Sequence, residues 1–198
     1  MKNRLALTVG LICICIGLNL IINKAFAQER YLIVLDIQKF HTKNKQQESS
    51  VKEMIQNVNS LISHFDAEKV LYIKATGKAL NVSFKGISVD TLPAPDFDST
   101  LNVVSNHIFT KIEGDAFTSN ELISYLESRK VKEIVLVGLM AEKCISNTAL
   151  GGKARGYNMK IVSEGIVGTT QKKKDQAIHD LNHKGITFIP MAELTNAH

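Results

Sequence analysis

Short runs of apolar, β-prone residues recur along the chain from residue 31 onwards, separated mostly by stretches with helical periodicity. The first run, YLIVLD at residues 31–36, is continuously apolar instead of alternating, which is typical of a strand covered on both faces. The other runs predict five further strands, at residues 69–75, 107–111, 133–138, 158–164 and 186–189.

The helical periodicity is clearest at residues 47–64, where apolar side chains recur at intervals of three and four residues and so share one helix face. Comparable patterns predict helices at residues 120–129, 143–155 and 171–183. Parallel strands that alternate with helices are joined by right-handed crossovers. The pattern therefore predicts an α/β fold with three layers, α/β/α, around a mostly parallel six-stranded sheet.

The segment at residues 76–106 differs from the rest, because it contains two of the three prolines and shows no clear helix or strand. Long segments without secondary structure are uncommon in compact domains unless they serve a function. We therefore expect this segment to form a wall or a lid over a site.

The first 27 residues have the pattern of a targeting segment. A basic start, MKNR, precedes a long apolar run at residues 5–22, and Ala25 and Ala27 supply the small residues that signal peptidases read. We predict a signal peptide at residues 1–27, one domain at residues 28–198, and export to the periplasm or the extracellular space. The alternative is a membrane anchor through residues 5–22, because the run is about long enough to span a bilayer.

Removal of this leader changes both the charge and the cysteine content. It carries three of the 24 basic residues and no acid, so the formal net charge falls from +5 to +2, with 21 bases against 19 acids. That small excess does not favour a nucleic-acid partner, and the cleaved chain is expected to make no stable membrane contact. Cys13 and Cys15 leave with the leader, so the mature chain keeps Cys144 alone and forms no internal disulfide.

Three chemically active residues follow predicted strands. Asp36 ends the first strand, Lys111 ends the third, and Cys144 follows the fourth across a short link. Ligands bind at the carboxyl ends of parallel strands, so these side chains are expected to meet at one edge of the sheet.

Each of the three also has an ordinary structural interpretation, as a turn cap, a surface charge or a small buried apolar residue. Together they indicate nucleophilic catalysis. A helix N-terminus and a neighbouring lysine would stabilise a thiolate, and a carboxylate would accept the thiol proton.

The sequence resembles the isochorismatase-like cysteine hydrolases, a superfamily that includes nicotinamidases, N-carbamoylsarcosine amidohydrolases and isochorismatases. The segment Asp36-Ile37-Gln38 is similar to the family's Asp-x-Gln after the first strand. Lys111, followed by Ala116-Phe117, is similar to the family's catalytic lysine and its small-Phe pair. The most extensive similarity matches the family's spacing at Gly138, Cys144, Ile145, Thr148, Ala149, Leu150, Gly156 and Tyr157.

The resemblance implies a mechanism. Cys144 would attack a carbonyl carbon and form a thioester, Asp36 would accept the thiol proton and later activate water, and Lys111 would stabilise the thiolate and orient the aspartate. It also implies a cis peptide between Leu139 and Met140, which would direct the backbone amides of Met140 and Cys144 towards one oxyanion.

Some positions depart from the family pattern. Ala141 replaces a common threonine, Glu142 a common Asp or Asn, and Phe40 and His41 are offset from the family's phenylalanine. Candidate residues for the substrate pocket are Gln38, Phe40, His41, Phe117 and Ala141.

The metal site of nicotinamidases is an Asp-x-His motif, and none occurs between Asp36 and Lys111. We therefore expect neither a metal nor a cofactor, and we do not expect nicotinamide as the substrate.

The sequence thus predicts a hydrolase that cleaves a C–N bond in a small amide or ureido compound. A vinyl-ether hydrolase of the isochorismatase type, and a non-catalytic binding module on the same fold, are the alternatives. The expected partner is a small-molecule substrate, whose identity the sequence does not specify, and the resemblance also implies a homo-oligomer.

Overall fold

The computed structural model describes residues 30–43, 47–84 and 86–196. The predicted signal peptide, the alternative anchor, and the two cysteines within them lie outside these residues. In the part of the chain that is described, no helix is both long enough and apolar enough to cross a membrane.

Six strands form one parallel sheet, which confirms the predicted fold class. Its spatial order is β5-β2-β1-β6-β7-β8. In chain order these strands are β1 (Arg30–Leu35), β2 (Val70–Ala75), β5 (Ile108–Lys111), β6 (Glu133–Leu139), β7 (Asn158–Val167) and β8 (Thr187–Ile189).

The helices lie between these strands or, for the last one, after β8, and they largely match the sequence prediction. They are α1 (Lys39–Thr42), α2 (Glu48–Ile62), α3 (Asn120–Ser128), α4 (Ser146–Ala154), α5 (Gln171–His183) and α6 (Ala192–Thr195). The short helices α1 and α6 have only four residues each, too few for the periodicity that revealed the others.

Two hydrophobic layers cover the sheet, one on each face. Tyr31, Ile33 and Leu35 of β1 pack with buried residues of α3, α4 and α5. The intervening Leu32 and Val34 pack with the apolar face of α2. Because successive strand residues point to opposite faces, a continuously apolar strand can serve both layers.

The segment at residues 76–106 contains an element that the sequence analysis did not predict. Strands β3 (Lys78–Ser83) and β4 (Gly86–Thr91) pair as an antiparallel hairpin. The expectation of a segment without secondary structure is therefore wrong for residues 78–91. Leu80, Val82 and Phe84 alternate with polar residues, which is a strand signal. Since these side chains stay exposed, the alternation does not mark a buried face of the domain.

Candidate active site

Asp36, Lys111 and Cys144 lie together at the carboxyl ends of their strands. Lys111 Nζ is 2.8 Å from Asp36 Oδ2 and 3.3 Å from Cys144 Sγ. The side chains of Lys111 and Asp36 are only 1% and 2% exposed, whereas Cys144 is partly exposed. The sulfur is therefore the atom of this cluster that an incoming molecule reaches first.

Parallel pairing aligns the ends of β1, β2 and β5 and so positions the acid and the base. Leu35, the last residue of β1, is in register with Ile73, and Ala75 of β2 is in register with Lys111. The Asp36 N–H donates to the Ile73 carbonyl at 3.0 Å, and Asp36 has a φ of +58°. Aspartate is among the few residues other than glycine that enter this left-handed region readily, so the chain can leave β1 here.

The ammonium group of Lys111 has three donors, and three acceptors surround it. Besides Asp36 and Cys144, the carbonyl of Glu113 accepts from Nζ at 3.1 Å. A buried lysine with such a complete set of partners holds the carboxylate and the sulfur at fixed positions relative to one another.

Cys144 lies within a wide turn, Ala141–Ile145, that precedes α4. The Met140 carbonyl accepts from the N–H groups of Lys143 and Ile145, at 3.0 and 3.2 Å. The predicted helix over residues 143–155 thus begins with a π-type turn, and the cysteine belongs to that turn instead of the first turn of a regular helix.

The peptide bond between Leu139 and Met140 is cis, as the resemblance implied. Just before it, β6 passes very close to β1. A Cβ atom on Gly138 would lie 2.0 Å from the Leu35 carbonyl oxygen, and the φ of Gly138 is +127°. Both observations require glycine at this position.

The pKa of the Cys144 thiol lies above its usual value, whereas the sequence led to the expectation of a stabilised thiolate. Burial of Cys144, followed by the charge and hydrogen bonding of Asp36, raises the pKa of the thiol from 9.0 to about 11. Lys111 lowers this pKa, but its effect is the smaller one. The loss of water around the sulfur and the negative charge of Asp36, which depend on the folded structure, outweigh the effect of the lysine.

Asp36 has room to accept a proton. Among the described residues, neither carboxylate oxygen has an aligned hydrogen bond, and the contact with Lys111 is an ion pair. The thiol hydrogen of Cys144 can rotate towards this carboxylate, and their interaction contributes to the raised pKa of the thiol. A buried carboxylate that is held by an ion pair and makes no other hydrogen bond is suited to take a proton during a reaction.

Three of the predicted pocket residues are wholly buried, so they do not line a pocket in this conformation. The amide of Gln38 bonds to the backbone of Ala75 and Pro95, which ties the segment after β4 to the sheet. Phe117 stacks on Tyr157 with ring centroids 5.3 Å apart. Ala141 belongs to the hydrophobic layer beneath the turn.

The other two pocket candidates have accessible side chains. Phe40 is 78% exposed, and its ring contacts that of His41. Burial lowers the pKa of His41, the charge of Asp36 raises it, and Lys111 and Lys143 lower it further. His41 is therefore the predicted pocket residue that interacts electrostatically with the cluster. Its lowered pKa favours the neutral imidazole.

The positioning roles of two polar residues were not recognised from the sequence. Thr148 Oγ1 accepts from the Ala116 N–H at 3.0 Å, which ties the loop after Lys111 to α4. Glu142 accepts hydrogen bonds from the N–H and the hydroxyl of Thr169, which ties the turn to the end of β7. Thr148 belonged to the family spacing, whereas nothing in the sequence pairs Glu142 with Thr169.

Within the described residues, no group of three or more His, Cys, Asp or Glu side chains is arranged to hold a metal ion. A cavity of about 580 Å³ lies beside α2, lined by Val51, Ile55 and Asn59 among others, and includes no residue of the cluster. It is therefore separate from the candidate active site.

The six-stranded parallel α/β/α fold, with an acid, a base and a thiol at its strand ends, is that of the isochorismatase-like hydrolases. Comparison with known families agrees, since the Isochorismatase domain matches residues 30–193. The chain belongs to the isochorismatase family of hydrolases.

The individual relatives and solved structures that match this chain have low sequence identity to it. The secreted isochorismatase effector Isc1 of Verticillium dahliae is 27% identical over 175 residues, which cover 87% of this chain and 86% of Isc1. The pyrazinamidase of Pyrococcus horikoshii, solved in complex with zinc, has a TM-score of 0.65 at 19% identity, covering 82% of this chain and 99% of that one. A cysteine hydrolase from Pseudomonas syringae has a TM-score of 0.69 at 14% identity, covering 86% of this chain and 92% of that one.

Proposed function

We propose that this hydrolase cleaves a C–N bond in a small amide or ureido compound through a thioester at Cys144. The observation that carries the proposal is the cluster itself, in which Lys111 contacts both the buried Asp36 carboxylate and the Cys144 sulfur. A thiol beside a general base and a cation is the arrangement that nucleophilic catalysis requires.

The raised pKa of the thiol favours proton transfer during attack over a preformed thiolate. Asp36 takes the proton as the Cys144 sulfur bonds to the substrate carbonyl carbon, and the carbonyl electrons move to its oxygen. When the C–N bond breaks, Asp36 returns this proton to the departing nitrogen. A water molecule then loses a proton to Asp36 and attacks the thioester, which releases the acid and restores the thiol.

The oxyanion would be held by the backbone amides of Met140 and Cys144. The neighbouring N–H groups of Lys143 and Ile145 already donate to the Met140 carbonyl, so they are used within the turn. An N–H aimed at the oxyanion contributes about 2.7–4 kcal/mol to the transition state.

The experiment is a screen of small amides and ureides with the purified protein, using Cys144→Ala as the blank. Turnover by the parent protein and none by the variant is expected, together with an acyl adduct on Cys144 in mass spectra of rapidly quenched reactions. Undiminished turnover by Cys144→Ala would exclude the thioester mechanism.

A second candidate is hydrolysis of a vinyl ether, as in isochorismatases, and the buried Asp36 with an available oxygen favours it. In that reaction an acid protonates the substrate, and no thiol nucleophile is needed. Retention of activity in Cys144→Ser together with its loss in Asp36→Asn would favour the vinyl ether over the amide.

We also propose that the protein is exported. The support is the predicted leader and the likeness to Isc1, a relative whose name describes it as secreted. On this proposal the domain at residues 28–198 meets its small-molecule substrate outside the cytoplasm, without a nucleic-acid partner and without a metal or cofactor.

A further inference from the structure

Helix α5 presents two histidines on its solvent-facing side. His179 and His183 are four residues apart, which places them on the same helix face. Both are exposed, whereas Ala177 and Leu181 are buried and fix the orientation of the helix.

The two imidazole rings lie against one another at an interplanar angle of 63°, with a hydrogen bond between their Nε2 atoms. Their Nε2 atoms are 3.1 Å apart, with ring centroids separated by 4.4 Å. Two nitrogens bound to one ion at about 2.1 Å would be about 3.0 Å apart at a right angle and about 3.4 Å apart at the tetrahedral angle. The observed separation lies between these values, so both nitrogens can occupy adjacent positions around one ion.

A carboxylate supports the first of these histidines. Asp180 Oδ1 lies 3.3 Å from His179 Nδ1 and also accepts from Gln176 Nε2 at 2.8 Å. Histidines that bind metals commonly donate their other ring N–H to a carboxylate, which leaves Nε2 with a free lone pair. The Asp180 carboxylate therefore contacts Nδ1 of His179, whereas Nε2 of the same ring faces His183.

We propose that His179 and His183 chelate a divalent first-row transition ion on the surface of α5. Water would complete the coordination, since two protein ligands are fewer than a closed structural site has. Cu²⁺ should bind more tightly than Ni²⁺ or Zn²⁺, following the Irving–Williams order. The site shares no residue with the Asp36–Lys111–Cys144 cluster and does not depend on the proposed function.

The test is calorimetric titration of the untagged protein with Ni²⁺ and with Cu²⁺, in a Cys144→Ser background that removes the competing thiol. One ion per chain is expected. His179→Gln and His183→Gln should each weaken binding roughly tenfold or more, and Asp180→Asn should weaken it less. His64→Gln, which changes an exposed histidine in the turn after α2, serves as the matched control and should bind as the parent does.

A thermal shift provides the second measurement. The ion should raise the unfolding temperature of the parent and of His64→Gln but not that of either chelate variant, because only a bound ion stabilises the folded state. Wild-type affinity in either His179→Gln or His183→Gln, or the absence of stoichiometric binding by the parent, would overturn the proposal.

Discussion

At the scale of single residues, the buried ion pair links the chemistry of the site to the stability of the fold. Lys111 is the cation that contacts Asp36 inside the protein. Replacing it with methionine, Lys111→Met, should abolish turnover and lower the free energy of unfolding by about 3–5 kcal/mol, because an unpaired charge is left buried. Urea unfolding and initial rates measure the two effects.

The double variant Asp36→Asn/Lys111→Met is the control for this interpretation. It removes both charges, so it should be more stable than Lys111→Met alone while remaining inactive. If the double variant is as unstable as the single one, the loss comes from packing of the lysine side chain and not from the charge.

The protonation state of Cys144 gives a second prediction at this scale. Since the pKa of its thiol is about 11, alkylation by iodoacetamide should be slow near neutral pH and should accelerate up to that range. Asp36→Asn removes the negative charge that helps to raise this pKa, so its alkylation profile should move to lower pH. Mass spectrometry of the labelled protein gives the rates, and a profile that levels off below pH 8 in the parent would contradict the prediction.

At the scale of elements, the close approach of β6 to β1 determines where Asp36 lies. Gly138→Ala should reduce both stability and turnover, because its Cβ would meet the Leu35 carbonyl one residue before Asp36. Gly156→Ala is the matched control, since Gly156 also has a positive φ, +86°, but a Cβ there meets no atom within 4 Å.

The control should lose only about 1–2 kcal/mol, the cost of a left-handed conformation, and should keep its activity. Thermal unfolding and initial rates of both variants separate the contact from the backbone conformation. Equal losses in the two variants would show that the approach to Leu35 is unimportant.

The inner strands β1, β2 and β6 of the main sheet were predictable because they are buried on both faces, and such strands are recognisable as continuous apolar runs. Asp36, Lys111 and Cys144 could be placed together because each follows a predicted strand, and parallel strands end at one edge of the sheet. The raised pKa of the thiol could not be predicted, because it depends on burial and on the distance to Asp36. Nor could the burial of Phe117 and Ala141, which depends on packing against elements distant in sequence.

The hairpin formed by β3 and β4 is stabilised differently from the main sheet, because its apolar residues are exposed. Phe84→Ser should therefore change the free energy of unfolding by no more than about 0.5 kcal/mol. Phe117→Ala should cost about 3–5 kcal/mol, since it empties a buried site. Chemical denaturation compares them, and a large loss in Phe84→Ser would show that its side chain is covered in solution. The homo-oligomer that the resemblance implies is a separate expectation, and sedimentation of the parent protein tests it.

At the scale of the whole chain, the described core and the candidate active site are built from residues 31–194. The leader predicted at residues 1–27 lies outside the described residues. As a signal peptide, it would determine where the protein is found and not what it catalyses, and the two can be measured separately.

Expression of the full chain in a bacterial host with a Sec pathway tests the leader. A cleaved signal peptide should give a soluble exported protein whose first residue is Gln28, because Ala25 and Ala27 precede that bond at the positions the peptidase reads. Ala27→Leu should block cleavage and leave the protein attached to the membrane, whereas Phe26→Leu changes a position that is not read and should be processed normally. N-terminal sequencing and fractionation measure both outcomes. An unprocessed parent protein in the membrane fraction would instead establish the anchor through residues 5–22.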